Sequence, residues 1–302
     1  MLPLALKKIK LALQCKDNKE VFIAYIFLAP WILGLAVFTV YPFIKSFILS
    51  FTDANIVSAK FIGFQNFIEM FTRDERFIKS IMVTTKYALI SVPIKLAFAL
   101  LIAILLKNGK TFYRTIYYLP SIIGGSVAVA VMWRQLFGYK GLINSFLSLF
   151  GVQGKEWLGH PGHALNILIL LAAWQFGSSM VIFIAGLKNI PKELYEASMI
   201  DGAGKVTTFF KITLPMLSSV IQFNLVLQII GAFQVFTQGF IITRGGPMDE
   251  TLFAVHYIYE TGFKFTRLGY ASAISWVLLA VIAVVTTIIF YTSKYWVFYE
   301  NE

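Results

Sequence analysis

Long apolar runs recur six times along the chain, at about residues 22–44, 82–106, 116–137, 164–187, 212–242 and 270–293. Each run is long enough to cross a bilayer, which takes about 20 predominantly apolar residues in a helix. The runs are continuous and do not alternate, and a backbone in hydrocarbon must satisfy its own hydrogen bonds, so helices are favoured over barrel strands. The pattern therefore predicts an all-α fold class: a single domain over residues 1–302 that forms a polytopic membrane helical bundle with six transmembrane helices.

Composition and the placement of basic residues support this prediction. The 302 residues are 58% hydrophobic and 14% charged, unlike the usual composition of a soluble domain. With the N-terminus inside, 13 lysines and arginines fall in about 62 inside positions and 10 in about 88 outside positions. This bias predicts that both termini are cytoplasmic. The net charge of +11 is then explained by topology and anionic lipid headgroups, so no nucleic-acid partner is expected.

The first apolar run is too long for a signal peptide and has no small-residue cleavage site, so we expect it to be retained.

A polar segment at 188–211 separates the fourth and fifth apolar runs, on the predicted cytoplasmic side. Pro191 favours a helix start, Glu193 suits its first turn, and Gly202 permits a sharp change of direction. Asp201 could cap the turn that follows. The segment predicts a helix, a turn and a second helix, exposed to a soluble partner. A plain polar connector that faces water is the alternative.

The motifs in this segment carry a resemblance. Glu196-Ala197-Ser198, Asp201-Gly202-Ala203 and Leu214-Pro215 closely resemble the "EAA" loop of binding-protein-dependent ABC importer permeases. The similarity covers nearly the whole chain and is typical of the carbohydrate-uptake branch with its maltose-type subunit, as in Tyr118-Leu119-Pro120, Gly245-Gly246-Pro247 and Gly269-Tyr270-Ala271. The chain departs from the pattern in having Ser198 in place of alanine, and Ser218-Ser219 where a proline often stands. Both changes are small, so they are compatible with docking and say nothing about its strength.

The resemblance implies a transport subunit, not an enzyme, with no cofactor and no metal. It implies a bacterial cell membrane location, a second homologous permease subunit, a cytoplasmic ABC ATPase dimer, an extracytoplasmic solute-binding protein, and a sugar substrate that crosses the lipid bilayer. It also implies that the segment 188–211 forms a coupling helix docked in a groove of the ATPase. The residues expected to couple are Glu196, Ala197, Ser198, Asp201, Gly202, Ala203, Gly204, Leu214 and Pro215.

Candidate substrate residues come from the fifth apolar run. If the run is one helix, the amide side chains of Asn224, Gln228, Gln234 and Gln238 fall, with Gly231, within an arc of roughly 120°. Amides suit the hydroxyls of a neutral sugar because they both donate and accept hydrogen bonds. Hydrogen bonding between helices is the alternative role for each of them. The resemblance adds three residues from the fourth run. The full candidate set is Gln175, Gly177, Ser178, Asn224, Gln228, Gly231, Gln234 and Gln238.

Rival function classes lack their motifs. A phosphate-binding loop is incomplete, because Gly109-Lys110-Thr111 has Ile104 where the first glycine should stand. The three histidines do not have metalloenzyme spacing. An ion-coupled secondary transporter is the main alternative, but no acidic residue lies within the six runs. Glycerol phosphate is an alternative solute for an ABC permease. Lys95, in the second run, could bind an anionic substrate or contact a carbonyl or headgroup.

Overall fold

The computed structural model describes residues 18–298, and its regular structure there is helical apart from one isolated β-bridge between Thr52 and Phe61. Short π-helical turns interrupt several helices, at Ala36–Val40, Phe209–Thr213, Gly239–Thr243 and Glu260–Lys264. The helices are α1 (Asn18–Leu35), α2 (Tyr41–Leu49), α3 (Gln65–Thr72), α4 (Glu75–Leu106), α5 (Thr111–Ile123), α6 (Val127–Leu136), α7 (Leu142–Ser148), α8 (Pro161–Trp174), α9 (Gly177–Asn189), α10 (Lys192–Ile200), α11 (Lys205–Thr208), α12 (Leu214–Met216), α13 (Ser218–Phe233), α14 (Ala254–Tyr259) and α15 (Leu268–Ser293). The predicted all-α class is confirmed.

Three continuous helical segments are long and apolar enough to cross a membrane: Tyr25–Leu49, Glu75–Leu106 and Leu268–Ser293. Three more candidates are bent pairs: α5 and α6 meet at 93°, α8 and α9 at 42°, and the segment Lys205–Met216 meets α13 at 64°. Counting each pair as one span gives up to six spans by length and composition. The six-span topology therefore stays a prediction.

The observed bounds differ from the predicted ones where local chemistry stops or starts a helix. The third apolar run, 116–137, is broken after Ile123, and α6 restarts with the Ser126 hydroxyl accepting a hydrogen bond from Val129 N at 3.3 Å. The second run extends back to Glu75, because Asp74 caps α4 by accepting from Phe77 N at 2.9 Å. The fifth run ends as a helix at Phe233, well before residue 242.

Helix α4 forms the centre of the described bundle and contacts α8, α9, α13 and α14. Its buried positions recur every three or four residues, as at Val92, Leu96, Ala99 and Ala103, which is the helical period of a core-facing stripe. By contrast, none of the most apolar 18-residue window of Tyr25–Leu49 is buried within the described chain. Phe43 and Phe47 pack on Trp276 near the end of this segment, and lipid or another protein must cover its remaining apolar side chains.

A carboxylate joins the helix ends on the predicted outer side. The Asp74 side chain accepts hydrogen bonds from the hydroxyls of Tyr257 and Tyr270, both at 2.6 Å, in addition to its cap on α4. Burial and the bond to Asp74 raise the pKa of Tyr257. Nearby, Arg76 makes a two-point contact with Asp249 at 2.8 and 3.0 Å, and this hydrogen bonding lowers the pKa of Asp249. These bonds connect the start of α4 to α14, to α15 and to the loop that precedes α14.

Replacing Asp74 with alanine should destabilise the fold. The change removes three hydrogen bonds to a charged group, each contributing about 1.5–3 kcal/mol, and leaves two tyrosine hydroxyls without their acceptor. We expect a loss of roughly 3 kcal/mol or more, measured by thermal unfolding of the detergent-solubilised protein. Asp53→Ala is the matched control, since Asp53 is exposed and makes no side-chain hydrogen bond in the described chain. Equal stability of the two variants would show that the Asp74 cluster does not hold these helices.

Candidate functional site

A polar cavity of about 340 Å³ lies where the helices of the bundle break. Helix α4 forms one wall, and the remaining lining comes from the α5–α6 break, the α8–α9 break and the C-terminal end of α13 with the segment after it. Its lining residues are Tyr87, Ser91, Val92, Lys95, Gly125, Ala172, Gln175, Gln228, Gly231, Ala232, Gln234, Val235, Phe236, Thr237 and Gln238. Irregular backbone at membrane depth is tolerated where it lines such a cavity or is buried in protein.

Hydrogen bonds between the two neighbouring breaks hold this part of the cavity wall. The Gln175 side chain donates from Nε2 to the Gly124 carbonyl at 2.9 Å, and the Ser121 hydroxyl donates to the Gln175 carbonyl at 3.0 Å. The Ser178 amide N–H in turn donates to the Ser121 oxygen at 3.0 Å. Gln175 thus lines the cavity and also satisfies a carbonyl that the bend exposes.

Gln228, Gln234 and Gln238 line the cavity without any side-chain hydrogen bond among residues 18–298. The single helical arc predicted for these amides is wrong, because α13 ends at Phe233 and Gln234 is its C-cap. They still converge, since residues 234–238, which follow α13, also line the cavity. Gly231 lies beside them, and a Cβ there would meet nothing within 4 Å. Donors and acceptors are therefore presented to open space.

Three of the candidate substrate residues do not line this cavity. Gly177 is buried against α5, where a Cβ would lie 2.6 Å from the Tyr117 carbonyl oxygen. Ser178 follows it and is bonded through its backbone to Ser121. Asn224 is fully buried, donates to the Val220 carbonyl at 3.2 Å, and has no partner for its Oδ1 in the described chain. The packing of α9 against α5 therefore explains the presence of Gly177 and Ser178 at these positions.

On the α4 side of the cavity, the sequence pointed only to Lys95, as a residue for an anionic substrate or for a carbonyl or headgroup. Tyr87, Ser91 and Lys95 recur at intervals of four, so they lie on one face of α4. That spacing of polar groups within an apolar run was the available signal. Neither Tyr87 nor Ser91 was predicted as a site residue.

A second cavity, of about 540 Å³, lies on the predicted outer side and is lined by Phe240, Arg244, His256, Tyr259, Glu260, Phe263 and Lys264. Aromatic rings connect the two cavities: Phe236 of the central cavity stacks on Phe240 of the outer one, with centroids 5.1 Å apart and planes at 18°. Tyr259 in turn stacks on Phe263 at 5.6 Å. Burial lowers the pKa of His256 in this wall. Flat apolar faces of this kind can pack against sugar C–H groups.

The polar segment forms a helix, a turn and a second helix, as predicted. Pro191 is the N-cap of α10 and Glu193 lies in its first turn. Gly202 follows α10 with φ of +70°, in the left-handed region that favours glycine. The expected cap by Asp201 is wrong: Asp201 is the C-cap of α10 and its side chain makes no hydrogen bond in the described chain, while α11 begins at Lys205 with Gly204 as its N-cap.

Ser198 faces inward and ties the two arms of this segment together. Its hydroxyl donates to the Tyr195 carbonyl at 3.0 Å and lies 3.2 Å from the Thr208 hydroxyl. The Tyr195 hydroxyl lies 3.2 Å from that of Thr213. Leu214 and Pro215 form the start of the short helix α12, half-buried behind this contact. Ser198, Leu214 and Pro215 therefore support the segment's shape and are not its outer surface.

The outer surface of the segment combines charge with exposed apolar groups. Glu196, Ala197, Asp201, Gly202 and Gly204 are exposed, and Ala203 is half-buried. Around them Met199, Ile200 and Val206 are 68%, 87% and 71% exposed. Behind the segment, a cavity of about 330 Å³ opens between α4, α9 and α10, with Lys107 Nζ 4.6 Å above the Tyr195 ring. The segment therefore presents apolar side chains to its surroundings, next to its charged ones.

The bent helices, central polar cavity and projecting polar segment define a polytopic membrane protein built around a potential solute path. Residues 71–297 match the family of binding-protein-dependent transport system inner membrane components. The chain belongs to this family of transport permeases.

Relatives match nearly end to end. The "Probable ABC transporter permease protein YesP" of Bacillus subtilis (strain 168) is 51% identical over 95% of this chain and 94% of its own length. The arabinooligosaccharides transport system permease protein AraP of the same organism is 34% identical, with 87% and 86% covered. The lactose transport system permease protein LacF of Rhizobium radiobacter is 32% identical, with 89% and 93% covered.

Solved structures agree with the fold. A chain of a bacterial ABC transporter involved in the import of the acidic polysaccharide alginate superposes with a TM-score of 0.81, at 24% identity, covering 92% of this chain and 97% of that one. A second alginate ABC transporter structure, in complex with an alginate pentasaccharide-bound periplasmic protein, gives a TM-score of 0.80 with 92% and 96% covered. At this identity the likeness concerns the fold.

Gly177→Ala should destabilise the protein, although alanine is the better helix former by about 1 kcal/mol. The added methyl group meets the α5 backbone at Tyr117 and Tyr118, so overpacking should cost about 1–3 kcal/mol. Gly231→Ala is the control, because its methyl group enters open space within a helix and should leave stability equal or higher. Thermal unfolding in detergent measures both. A stable Gly177→Ala protein would mean that α5 and α9 are not in close contact.

Proposed function

We propose that this chain is a permease subunit of an ATP-driven importer for a sugar or oligosaccharide. The observation that carries the proposal is the central cavity with three glutamine side chains that have no hydrogen-bond partner in the described chain. Amides that served only to join helices of this subunit would be paired with them. Unpaired amides beside an aromatic wall suit sugar hydroxyls and C–H faces. The relatives named for arabinooligosaccharides and lactose support this substrate class.

The polar segment around α10 is proposed to dock on a cytoplasmic ABC ATPase dimer that supplies the energy. Glu196 offers a charge, Ala197 a flat surface, and Met199, Ile200 and Val206 offer apolar area to a groove. Because α10 is hydrogen-bonded to the chain that leads into α13, a movement of the ATPase would act on the helix that carries Gln228 and Gly231. The alternating closure and opening of the cavity would follow.

Further partners complete the proposed importer. A second homologous permease would cover exposed apolar faces and form the other half of the path. An extracytoplasmic solute-binding protein would deliver the sugar to the outer side, as supported by the alginate transporter in complex with its periplasmic protein. With both termini cytoplasmic, the loop at Gly245, Gly246 and Pro247 would face that protein. The location would be the bacterial cell membrane.

Changing Gln228 to leucine should impair uptake while the assembled importer stays intact. The substitution removes hydrogen bonds to the sugar, each contributing about 0.5–1.5 kcal/mol, so we expect roughly a 2- to 10-fold increase in the KM for uptake. Uptake of radiolabelled arabinooligosaccharides and lactose by cells expressing the importer is the measurement. Leu227→Ala is the control, since Leu227 is exposed on the same helix and does not line the cavity. Unaltered kinetics for Gln228→Leu with a transported sugar would exclude this residue from the path.

Gly202→Val should uncouple the ATPase from transport. A β-branched side chain at φ of +70° costs roughly 1–2 kcal/mol, and relaxing that strain would reorient the turn after α10. Sugar-stimulated ATP hydrolysis by the assembled complex should therefore fall by about tenfold, the factor that corresponds to about 1.4 kcal/mol. Basal hydrolysis and assembly should be preserved.

Two variants serve as controls for this experiment. Gly202→Asn keeps a residue that tolerates the left-handed region, and Gly204→Val places the same side chain at an ordinary φ of −69°. Both should retain stimulated hydrolysis if backbone strain at Gly202 is the cause. Normal stimulation of an assembled Gly202→Val complex would remove this turn from the transmission path.

A further inference from the structure

Lys95 is a cation without a partner inside the central cavity. It is half-buried on α4, in the middle of a membrane-crossing helix, and makes no hydrogen bond or ion pair within residues 18–298. The polar groups that share the cavity are glutamine amides and hydroxyls, and neither aspartate nor glutamate lines it. An ammonium group at such a position is costly unless water or an anion compensates it. The cavity therefore has a net positive charge with no counter-ion of its own.

The helix geometry directs this charge to the solute path. Ser91 and Lys95 are one helical turn apart and both line the cavity. Lys86, nine residues before Lys95, lies on the opposite side of α4 at about 100° per residue, and it is exposed. The same helix thus carries one lysine toward the cavity and another away from it.

The outer cavity has the same excess of positive charge. Arg244 lines it, is exposed, and has no ion pair in the described chain. Lys264 and Glu260 are paired at 3.2 Å, and Glu260 also contacts Arg76 at 3.3 Å, so its carboxylate is already shared between two cations. The Phe236–Phe240 stack joins this cavity to the central one. A solute that passes from one to the other meets aromatic faces and an uncompensated cation at each stage.

We propose that the transported sugar is acidic, an oligosaccharide that contains uronic acid, and that Lys95 pairs with its carboxylate. This inference rests on the proposed function and names its substrate class. Gln228, Gln234 and Gln238 would bind the hydroxyls while the ammonium group binds the charge. A carboxylate matches the single positive charge of the cavity, whereas a phosphate ester would bring a charge of about −1.5 to −2. A neutral sugar would leave Lys95 uncompensated.

The experiment measures sugar binding by the assembled complex of this chain, its partner permease and the ATPase, without the binding protein. Isothermal titration in detergent compares digalacturonate and dimannuronate with their methyl esters, which have the same rings and no charge. Wild-type complex should bind at least one acid more tightly than its ester. Lys95→Met should lower the affinity for that acid about 10- to 100-fold, the range for a hydrogen bond to a charged group, and leave the ester unchanged. Lys95→Arg and Lys86→Met should retain the preference.

Several results would overturn the proposal. Esters that bind as tightly as the acids would mean that the complex does not recognise the charge of the sugar carboxylate. A Lys95→Met complex that assembles poorly but keeps its acid preference would assign Lys95 to the partner permease. Tighter binding of sn-glycerol 3-phosphate than of either uronate would assign the cation to a phosphate.

The permease function is tested separately from this substrate class. With the binding protein added, ATP hydrolysis stimulated by lactose or arabinooligosaccharides would support the proposed function even if no uronate binds, and the acidic-sugar proposal alone would fail. A complex that responds to no sugar, neutral or acidic, would contradict both.

Discussion

A peptide group in hydrocarbon must find its hydrogen-bond partner within the protein, and this constraint decides where the helices of this chain can break. The break between α5 and α6 and the break between α8 and α9 lie side by side. The Gln175 side chain pairs with the Gly124 carbonyl, and Ser121 pairs with the Gln175 carbonyl. Since a bend is stable only beside such partners or beside water, the bends and the polar cavity are one feature. The proposed solute site lies at the breaks because the breaks require a polar environment.

A few hydrogen bonds also connect several helices at each of the two ends of the bundle. On the predicted outer side, Asp74 caps α4 and accepts hydrogen bonds from Tyr257 and Tyr270, so one carboxylate connects three helices. On the opposite side, Ser198 and Thr208 join α10 to the chain that leads through a 64° bend into α13. Helix α13 ends in the cavity. The proposed docking surface and the proposed solute site are therefore linked by short covalent and hydrogen-bonded connections.

Predictions from the sequence were most accurate where they depended on whether a segment lies in lipid or in water. The apolar runs and their lengths indicated membrane helices, and α15 agrees with its predicted span nearly to the residue. Gly202 was identified because a tight turn needs a residue without a Cβ, and its φ is +70°. The candidate amides were chosen on the assumption of one straight helix, which is wrong beyond Phe233. Gln228, Gln234 and Gln238 nevertheless meet, because polar groups in an apolar run must turn to a shared polar space.

The sequence by itself determined the class of the fold, the polar segment between the fourth and fifth runs, and the residue types that could recognise a sugar. Hydropathy fixes the first two features, since the transfer of a side chain into lipid depends on its own chemistry, and the third follows from the hydrogen-bonding groups of the amides. The tertiary structure alone decided that Gly177 packs against α5, that Ser198 faces inward, and that Lys95 shares a cavity with amides from distant parts of the chain. These outcomes depend on which helices meet and where each one bends, and such long-range contacts leave no periodic signal in any single segment.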